Sequence, residues 1–280
     1  MLIRFTKMHG AGNDYVYIDA INQCPTNLPQ LSIEMSDRHK GVGADGIVVI
    51  LPSDKADFKM RMFNADGSEG EMCGNASRCL AKFVFDKGLT KSRHITLETL
   101  AGIKRLEITE VIDGSAKEVV VDMGEPIFIP ADIPVKSDKE MMNYPISSSL
   151  GIIYITAVSM GNPHGVVFVN SDVRDVDVEA LGREIQNNDI FPNKANIEFV
   201  KINRRNDLDM RVYERGSGET MSCGTGACAA VVVASRLGLA DREATVHLLG
   251  GDLHIRWAED RHVYLRGDAV TVFEGEYWRC

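Results

Sequence analysis

Short runs in which apolar and polar residues alternate recur along the chain and predict β-strands. The clearest are residues 58–63 and 208–213, whose period of two is typical of half-buried strands. Two other segments, residues 79–87 and 227–237, suit helices and are each followed by a glycine, the expected helix stop. Further apolar runs that we interpret as strands are residues 48–51, 95–97, 119–121, 152–158, 166–169 and 263–265.

The same local pattern occurs twice, about 150 residues apart. In both copies an alternating run leads through a Gly-rich loop to a Cys-Gly pair and then to the predicted helix. The identical residues at this offset are Met60/Met210, Arg61/Arg211, Glu69/Glu219, Cys73/Cys223, Gly74/Gly224, Gly88/Gly238 and Leu89/Leu239. We therefore predict two homologous α+β halves that face each other. Each half is a mostly antiparallel sheet wrapped around a central helix, and residues 123–134 form the crossover between them.

Composition narrows the class of protein. The chain has 280 residues and a formal net charge of −9, which argues against binding to duplex nucleic acid. No apolar run approaches the ~20 residues of a membrane span, and the first residues lack the features of a secretory signal. We therefore expect a cytoplasmic protein without a membrane partner, whose six cysteines are reduced.

Cys73 and Cys223 fall at or just before the predicted helix starts, where the helix dipole favours a thiolate. One thiolate and one thiol on opposite faces of a substrate can remove a proton from one side of a carbon and deliver another to the opposite side. The result is inversion of a stereocentre. We expect the two thiols to meet across a cleft between the halves, where backbone N–H groups of the following turns could hold a substrate carboxylate.

Several motifs, together with both cysteine segments, strongly resemble the diaminopimelate epimerase family, which are racemases that use two cysteines and no pyridoxal cofactor. The resemblance covers essentially the whole chain. It implies two pseudosymmetric halves, residues 1–122 with 267–280 and residues 123–266, and a homodimer. The matching motifs are residues 5–14 (FTKMHGAGND), 37–39 (DRH), 41–45 (GVGAD), 64–69 (NADGSE), 160–164 (MGNPH) and 214–220 (ERGSGET).

The resemblance also implies roles for individual residues. Cys73 and Cys223 match the catalytic acid/base pair, and His164 and Glu214 match the residues that tune the thiols. Arg215 suits a second, distal carboxylate, so the implied substrate is a diamino dicarboxylate such as LL-diaminopimelate, used in lysine and peptidoglycan precursor synthesis. No cofactor or metal is implied. The positions that match substrate-binding residues are Asn13, Asn64, Gly74, Asn75, Asn162, Asn196, Glu214, Arg215, Gly224 and Thr225.

Other interpretations stay open or are weaker. A related racemase could act on lanthionine or another amino acid, and the same scaffold could serve as a binding protein or redox sensor. The spacing of Cys73 from Cys79 and of Cys223 from Cys228 lacks the tight pair of a zinc site, so we interpret Cys79 and Cys228 as core residues. The glycine-rich run 41–46 precedes a strand rather than opening a helix, so a dinucleotide site is rejected. The sequence around Cys24 and Cys280 does not indicate a function for either cysteine.

Overall fold

The computed structural model describes residues 2–279, so Cys280 lies outside the described residues. Short 3-10 turns cover Pro130–Asp132 and Val173–Asp175. The helices are α1 (Leu28–Ser36), α2 (Gly74–Asp86), α3 (Val178–Gln186) and α4 (Gly224–Arg236). The strands are β1 (Leu2–Gly10), β2 (Asn13–Asp19), β3 (Gly46–Leu51), β4 (Phe58–Asn64), β5 (Glu69–Gly70), β6 (His94–Thr99), β7 (Gly102–Ile112), β8 (Ser115–Gly124), β9 (Tyr144–Ser148), β10 (Gly151–Ser159), β11 (Pro163–Phe168), β12 (Asn196–Arg204), β13 (Asp207–Glu214), β14 (Gly218–Glu219), β15 (Glu243–Leu248), β16 (Gly251–Trp257), β17 (Val263–Asp268) and β18 (Val270–Trp278).

The chain divides into two compact units. The first unit comprises the described residues up to Asp122 and those from Arg266 onward, and the second comprises Met123–Leu265. The chain thus leaves the first unit near the end of β8 and returns to it within β17. The predicted α+β class, with mostly antiparallel strands and few helices, is confirmed. None of the helices among residues 2–279 combines the length and apolar character needed to span a membrane.

The sheets of the two units repeat the same pairings. In the first unit β2 runs parallel to β3, β3 antiparallel to β4, and β4 parallel to β6. In the second unit β11 runs parallel to β12, β12 antiparallel to β13, and β13 parallel to β15. The outer pairs β6/β7 and β15/β16 are antiparallel in both. This common order gives structural support to the sequence repeat.

Each unit holds one helix deep inside and a second on the other side of its sheet. Every residue of 227–234 in α4 is fully buried, as its uniformly apolar sequence predicts, and α4 contacts β10 to β13, β15 and β16. In the first unit, α2 contacts β1, β2 and β7. The shorter helices α1 and α3 pack on the sheets through apolar residues at helical spacing, which are Leu28, Leu31 and Met35 in α1 and Val178, Leu181 and Ile185 in α3.

An identical ion pair fixes the loop before each deep helix. Arg61 on β4 binds Glu69 on β5 through two hydrogen bonds of 2.6 and 2.9 Å. Arg211 on β13 binds Glu219 on β14 in the same way, at 2.6 and 2.8 Å. Since β5 and β14 are only two residues long, each pair ties a short returning strand to its neighbour just before the cysteine.

Both deep helices begin earlier than the sequence predicts. They start at Gly74 and Gly224, directly after the cysteines, rather than at residues 79 and 227. Glycine has a low helix propensity, so the apolar pattern becomes recognisable only after the first turn. The predicted ends are confirmed, because Gly88 and Gly238 follow with φ of 70° and 75°, the left-handed conformation of a helix stop.

Candidate active site

Cys73 is the N-cap residue of α2. Its Sγ accepts a hydrogen bond from the Ala76 N–H at 3.5 Å, so the thiol lies against the first turn of the helix. The first N–H groups of a helix have no acceptor in a preceding turn. The N–H groups of Gly74 and Asn75 therefore belong to a helix start that favours a bound anion.

Asn13 joins the sulfur of Cys73 to a fixed network in the first unit. Its Oδ1 accepts from Cys73 Sγ and from Asn75 Nδ2, both at 3.4 Å. Its Nδ2 donates to Asp45 at 2.7 Å, and Arg38 donates to the same carboxylate at 2.9 Å. The Asn13 amide is thus held in one orientation beside the thiol. Asp45 and Arg38 were not assigned to the site from the sequence, although both lie in the family motifs.

Asn64 lies at the end of β4, where the chain turns toward β5. Its Nδ2 donates to Ser68 Oγ at 3.0 Å, and its backbone N–H donates to the Ser68 carbonyl at 2.8 Å. The side chain is only partly buried. The structure therefore places Asn64 at the loop between β4 and β5 of the first unit, where Ser68 holds its side chain.

Cys223 is the N-cap residue of α4 and is more enclosed than Cys73. Its Sγ lies 3.5 Å from the Thr225 hydroxyl, and 5% of the residue is exposed. Burial raises the pKa of the Cys223 thiol well above its usual value, and the carboxylates of Glu214 and Glu198 raise it further. The thiol form of Cys223 is therefore favoured in the free protein.

Glu214 lies at the end of β13, at the position that corresponds to Asn64 in the repeat. Its Oε1 accepts a hydrogen bond from the Thr220 hydroxyl. Burial raises the pKa of the Glu214 carboxyl, and hydrogen bonds to Thr220 and Cys223 partly counter that effect. Glu214 is thus a carboxylate that raises the pKa of Cys223 within its own unit.

We expect the variant Glu214→Gln to make Cys223 react faster with iodoacetamide at pH 8. The amide removes a negative charge that raises the pKa of Cys223, so the thiolate fraction should rise by roughly tenfold. Alkylation of both cysteines is measured by peptide mass spectrometry in one sample, with Cys73 as the internal reference. An unchanged or slower reaction at Cys223 would contradict the assigned role of Glu214.

A chain of polar side chains leads from Glu198, near the start of β12, to Cys223. His164 Nδ1 lies 2.7 Å from Glu198 Oε1, and its Nε2 lies 2.9 Å from Asn162 Oδ1. Asn162 Nδ2 donates to Thr225 Oγ1 at 3.3 Å. His164 and Glu198 are completely buried. Glu198 was missed from the sequence, although a lone acidic residue within the apolar stretch Ile-Glu-Phe-Val offered a signal.

Asn196 and Arg215 lie together near the ends of β12 and β13. The Arg215 N–H donates to Asn196 Oδ1 at 2.8 Å, which fixes the backbone from which the guanidinium extends. The Arg215 side chain is exposed, and its Nη1 lies 3.4 Å from the Asn193 carbonyl. A guanidinium held at its base and open at its end is suited to bind a carboxylate from solution.

The remaining cysteines near the motifs are structural. Cys79 and Cys228 are 1% and 0% exposed, and burial raises the pKa of Cys79 to about 12. The neighbouring Arg78 is also fully buried, with its Nε donating to the Asp268 carbonyl at 2.9 Å. Within residues 2–279, the only three-residue group with metal-ligating geometry is Asp207, Asp209 and His247, which contains no cysteine.

Comparison with known proteins agrees with these motifs. A family model for diaminopimelate epimerase matches residues 5–129 and 156–272. The diaminopimelate epimerase of Acetivibrio thermocellus is 53% identical over 279 residues, and the match covers 98% of both chains. That of Methanococcus maripaludis strain S2 is 52% identical over 276 residues, covering 98% of this chain and 99% of the relative.

Solved structures share the fold at much lower identity. A phenazine biosynthesis protein of the PhzF family from Bacillus anthracis superimposes with a TM-score of 0.71 at 20% identity, covering all of both chains. A hydroxyproline epimerase from Agrobacterium vitis gives 0.69 at 16% identity, covering 99% of this chain and 91% of the other. The family match and the relatives over the full length assign the chain more closely: it belongs to the diaminopimelate epimerase family.

Proposed function

We propose that this isomerase interconverts LL- and meso-diaminopimelate by two-base proton transfer between Cys73 and Cys223. The observation that carries the proposal is that each cysteine is the N-cap of a deep helix in its own unit. A two-base reaction needs one thiolate to remove the α-proton and one thiol to donate a proton to the other face. The raised pKa of Cys223 supports Cys223 as the protonated partner in the free enzyme.

The main energetic difficulty is the weak acidity of the α-carbon. A gap on the order of ten pKa units from a thiol corresponds to ~14 kcal/mol. The dipole of one helix supplies at most ~2 kcal/mol, whereas each N–H donor aimed at a developing oxyanion contributes ~2.7–4 kcal/mol. We propose that the substrate α-carboxylate binds the N–H groups of Gly74–Asn75 and Gly224–Thr225, which would then stabilise the carbanion-like transition state.

The distal end of the substrate is assigned to polar side chains. Arg215, whose exposed guanidinium extends from a backbone held by Asn196, is proposed to bind the distal carboxylate. Asn13, Asn64 and Asn162 are proposed to hold the amino and carboxylate groups. A racemase of simple amino acids would not need all of these side chains, because its substrates lack a second charged end.

The wider setting is also part of the proposal. Exposed apolar side chains on β18, including Val272, Phe273 and Trp278, support a homodimer. We propose a cytoplasmic enzyme of lysine and peptidoglycan precursor synthesis that needs no added cofactor, because the chain's own thiols can carry out the proton transfers while its backbone N–H groups stabilise the transition state.

The deciding experiment follows the substrate α-proton by NMR. Reduced protein is incubated in D2O without cofactor, with LL-diaminopimelate, lanthionine, histidine or glutamate in parallel. We expect exchange and formation of the meso isomer with diaminopimelate. Exchange only with another amino acid would retain the two-thiol chemistry and replace the substrate. No exchange with any compound would favour a binding protein or redox sensor.

A further inference from the structure

Glu198 is a charged residue at the centre of a buried sheet. It lies on β12 between Val166 of β11 and Val212 of β13, and none of its surface is exposed. At the matching position of the first unit, Val48 occupies the same place in β3 and is equally buried. The fold therefore does not need a carboxylate here, and burying one is costly unless it is paired.

The immediate partner of Glu198 is His164, both of whose ring nitrogens face oxygen atoms. Nδ1 faces Glu198 Oε1 at 2.7 Å and Nε2 faces Asn162 Oδ1 at 2.9 Å. Oδ1 of Asn162 acts as the acceptor because Nδ2 donates to Thr225. A neutral imidazole has a single N–H and can donate to only one of them. A doubly protonated His164 satisfies both contacts and neutralises the buried carboxylate.

These hydrogen bonds continue through Asn162 and Thr225 to Cys223. Because Asn162 Nδ2 donates to Thr225 Oγ1 at 3.3 Å, the hydroxyl hydrogen of Thr225 is free to point toward Cys223 Sγ, 3.5 Å away. A hydroxyl donor at this place stabilises the thiolate that Cys223 must become after it has given up its proton. The state of His164 therefore affects the reacting sulfur through two intervening side chains.

The surroundings of Glu198 are adapted to it. A Cβ at residue 226 would lie 2.7 Å from Glu198 Oε1 and 3.3 Å from the Cβ of Cys223, so the glycine there admits the carboxylate to the start of α4. Within residues 2–279, Oε2 of Glu198 is buried without a hydrogen-bond partner. A buried carboxylate with an unsatisfied oxygen lowers the stability of the fold, so a role in the active site explains its presence better than a stabilising role does.

We propose that Glu198 is a positioning residue that holds His164 doubly protonated and thereby orients the Asn162 amide and the Thr225 hydroxyl toward Cys223. This inference rests on the proposed function for its effect on turnover. The other titratable groups of this region are Glu214 and Cys223 itself. Glu198 touches neither the substrate nor the reacting sulfur in this arrangement and acts through His164.

The first test reads the protonation of His164 directly. Nitrogen NMR of protein labelled with 15N-histidine is recorded at pH 7.5, and the His164 signals are assigned by their loss in a His164→Gln variant. We expect both ring nitrogens to show the shifts of an imidazolium in the wild-type protein. Shifts of a neutral ring would overturn the proposal. This measurement needs neither a substrate nor a folded Glu198 variant.

The second test is the variant Glu198→Gln, which keeps the shape and removes the charge. We expect the His164 signals to become those of a neutral ring, and kcat/KM for LL-diaminopimelate to fall by about ten- to a hundredfold, the effect of weakening a charge-assisted hydrogen-bond array. Wild-type kcat/KM in a folded Glu198→Gln protein would contradict the proposal.

The matched control is Asp86→Asn, another carboxylate that pairs with a buried cation, Lys82 Nζ, at 2.6 Å. It lies at the far end of α2 from Cys73. We expect this variant to unfold at lower temperature with unchanged His164 signals and kcat. If the wild-type protein does not epimerise diaminopimelate, the proposed function fails while the His164 spectra still decide the role of Glu198 in positioning.

Discussion

Replacing Cys73 by alanine should abolish epimerisation of LL-diaminopimelate, and replacing Cys223 should do the same. Each variant removes either the base or the acid of the two-base reaction, and a general acid or base contributes about 10²–10⁴-fold to a rate. We expect each single variant to lose at least about a thousandfold in kcat, measured as conversion of LL to meso isomer by NMR. Both residues are helix caps rather than central core residues, so the proteins should remain folded.

The chain provides matched controls for this loss. Cys79 lies six residues after Cys73 and Cys228 lies five residues after Cys223, and both are completely or almost completely buried. Changing either one to alanine removes a packed sulfur and should lower the free energy of unfolding by about 1–2 kcal/mol, with kcat nearly unchanged. Full turnover by either Cys73→Ala or Cys223→Ala would refute the two-base mechanism.

Much of this fold could be predicted from the sequence because the two cysteines lie within the repeated segments. The shared Arg, Glu, Cys and Gly positions predicted two homologous α+β halves and located both cysteines at helix starts. Those predictions depend on local signals: strand alternation, a glycine stop after each helix and a uniformly apolar α4. The roles of the site residues, by contrast, came from the family resemblance and stay proposals until the variants are measured.

The features that were not predicted from the sequence depend on contacts between residues that are far apart in the chain. Helices α1 and α3 are only nine residues long, too short for a clear helical period, and their apolar residues acquire meaning only against a sheet. Glu198 was not predicted to belong to the site either, because a single acidic residue in a strand fits an exposed edge strand as well as a buried strand. Its pairing with His164 depends on β11 and β12 running side by side in parallel.

The repeated ion pair allows a further comparison between the two units. Arg211 is only 16% exposed and also donates to the carbonyls of Val173 and Val176 at 2.9 Å each. Arg61 is 37% exposed, pairs with Glu69 and contacts the Phe63 ring. The same residue type therefore holds together three segments in the second unit and one hairpin in the first.

We expect Arg211→Ala to lower the free energy of unfolding by about 3 kcal/mol, because Glu219 and two carbonyl groups lose a buried donor. Arg61→Ala should cost about 1 kcal/mol, the value of an exposed pair and a cation–π contact. Urea unfolding of both variants tests the difference, and 0.5 M NaCl should reduce the effect only at Arg61. Equal losses would mean that burial and the additional carbonyl contacts do not distinguish these pairs. The larger loss at Arg211 would instead show that the two halves, alike in sequence at this position, differ in stability because of what packs around the repeated residue.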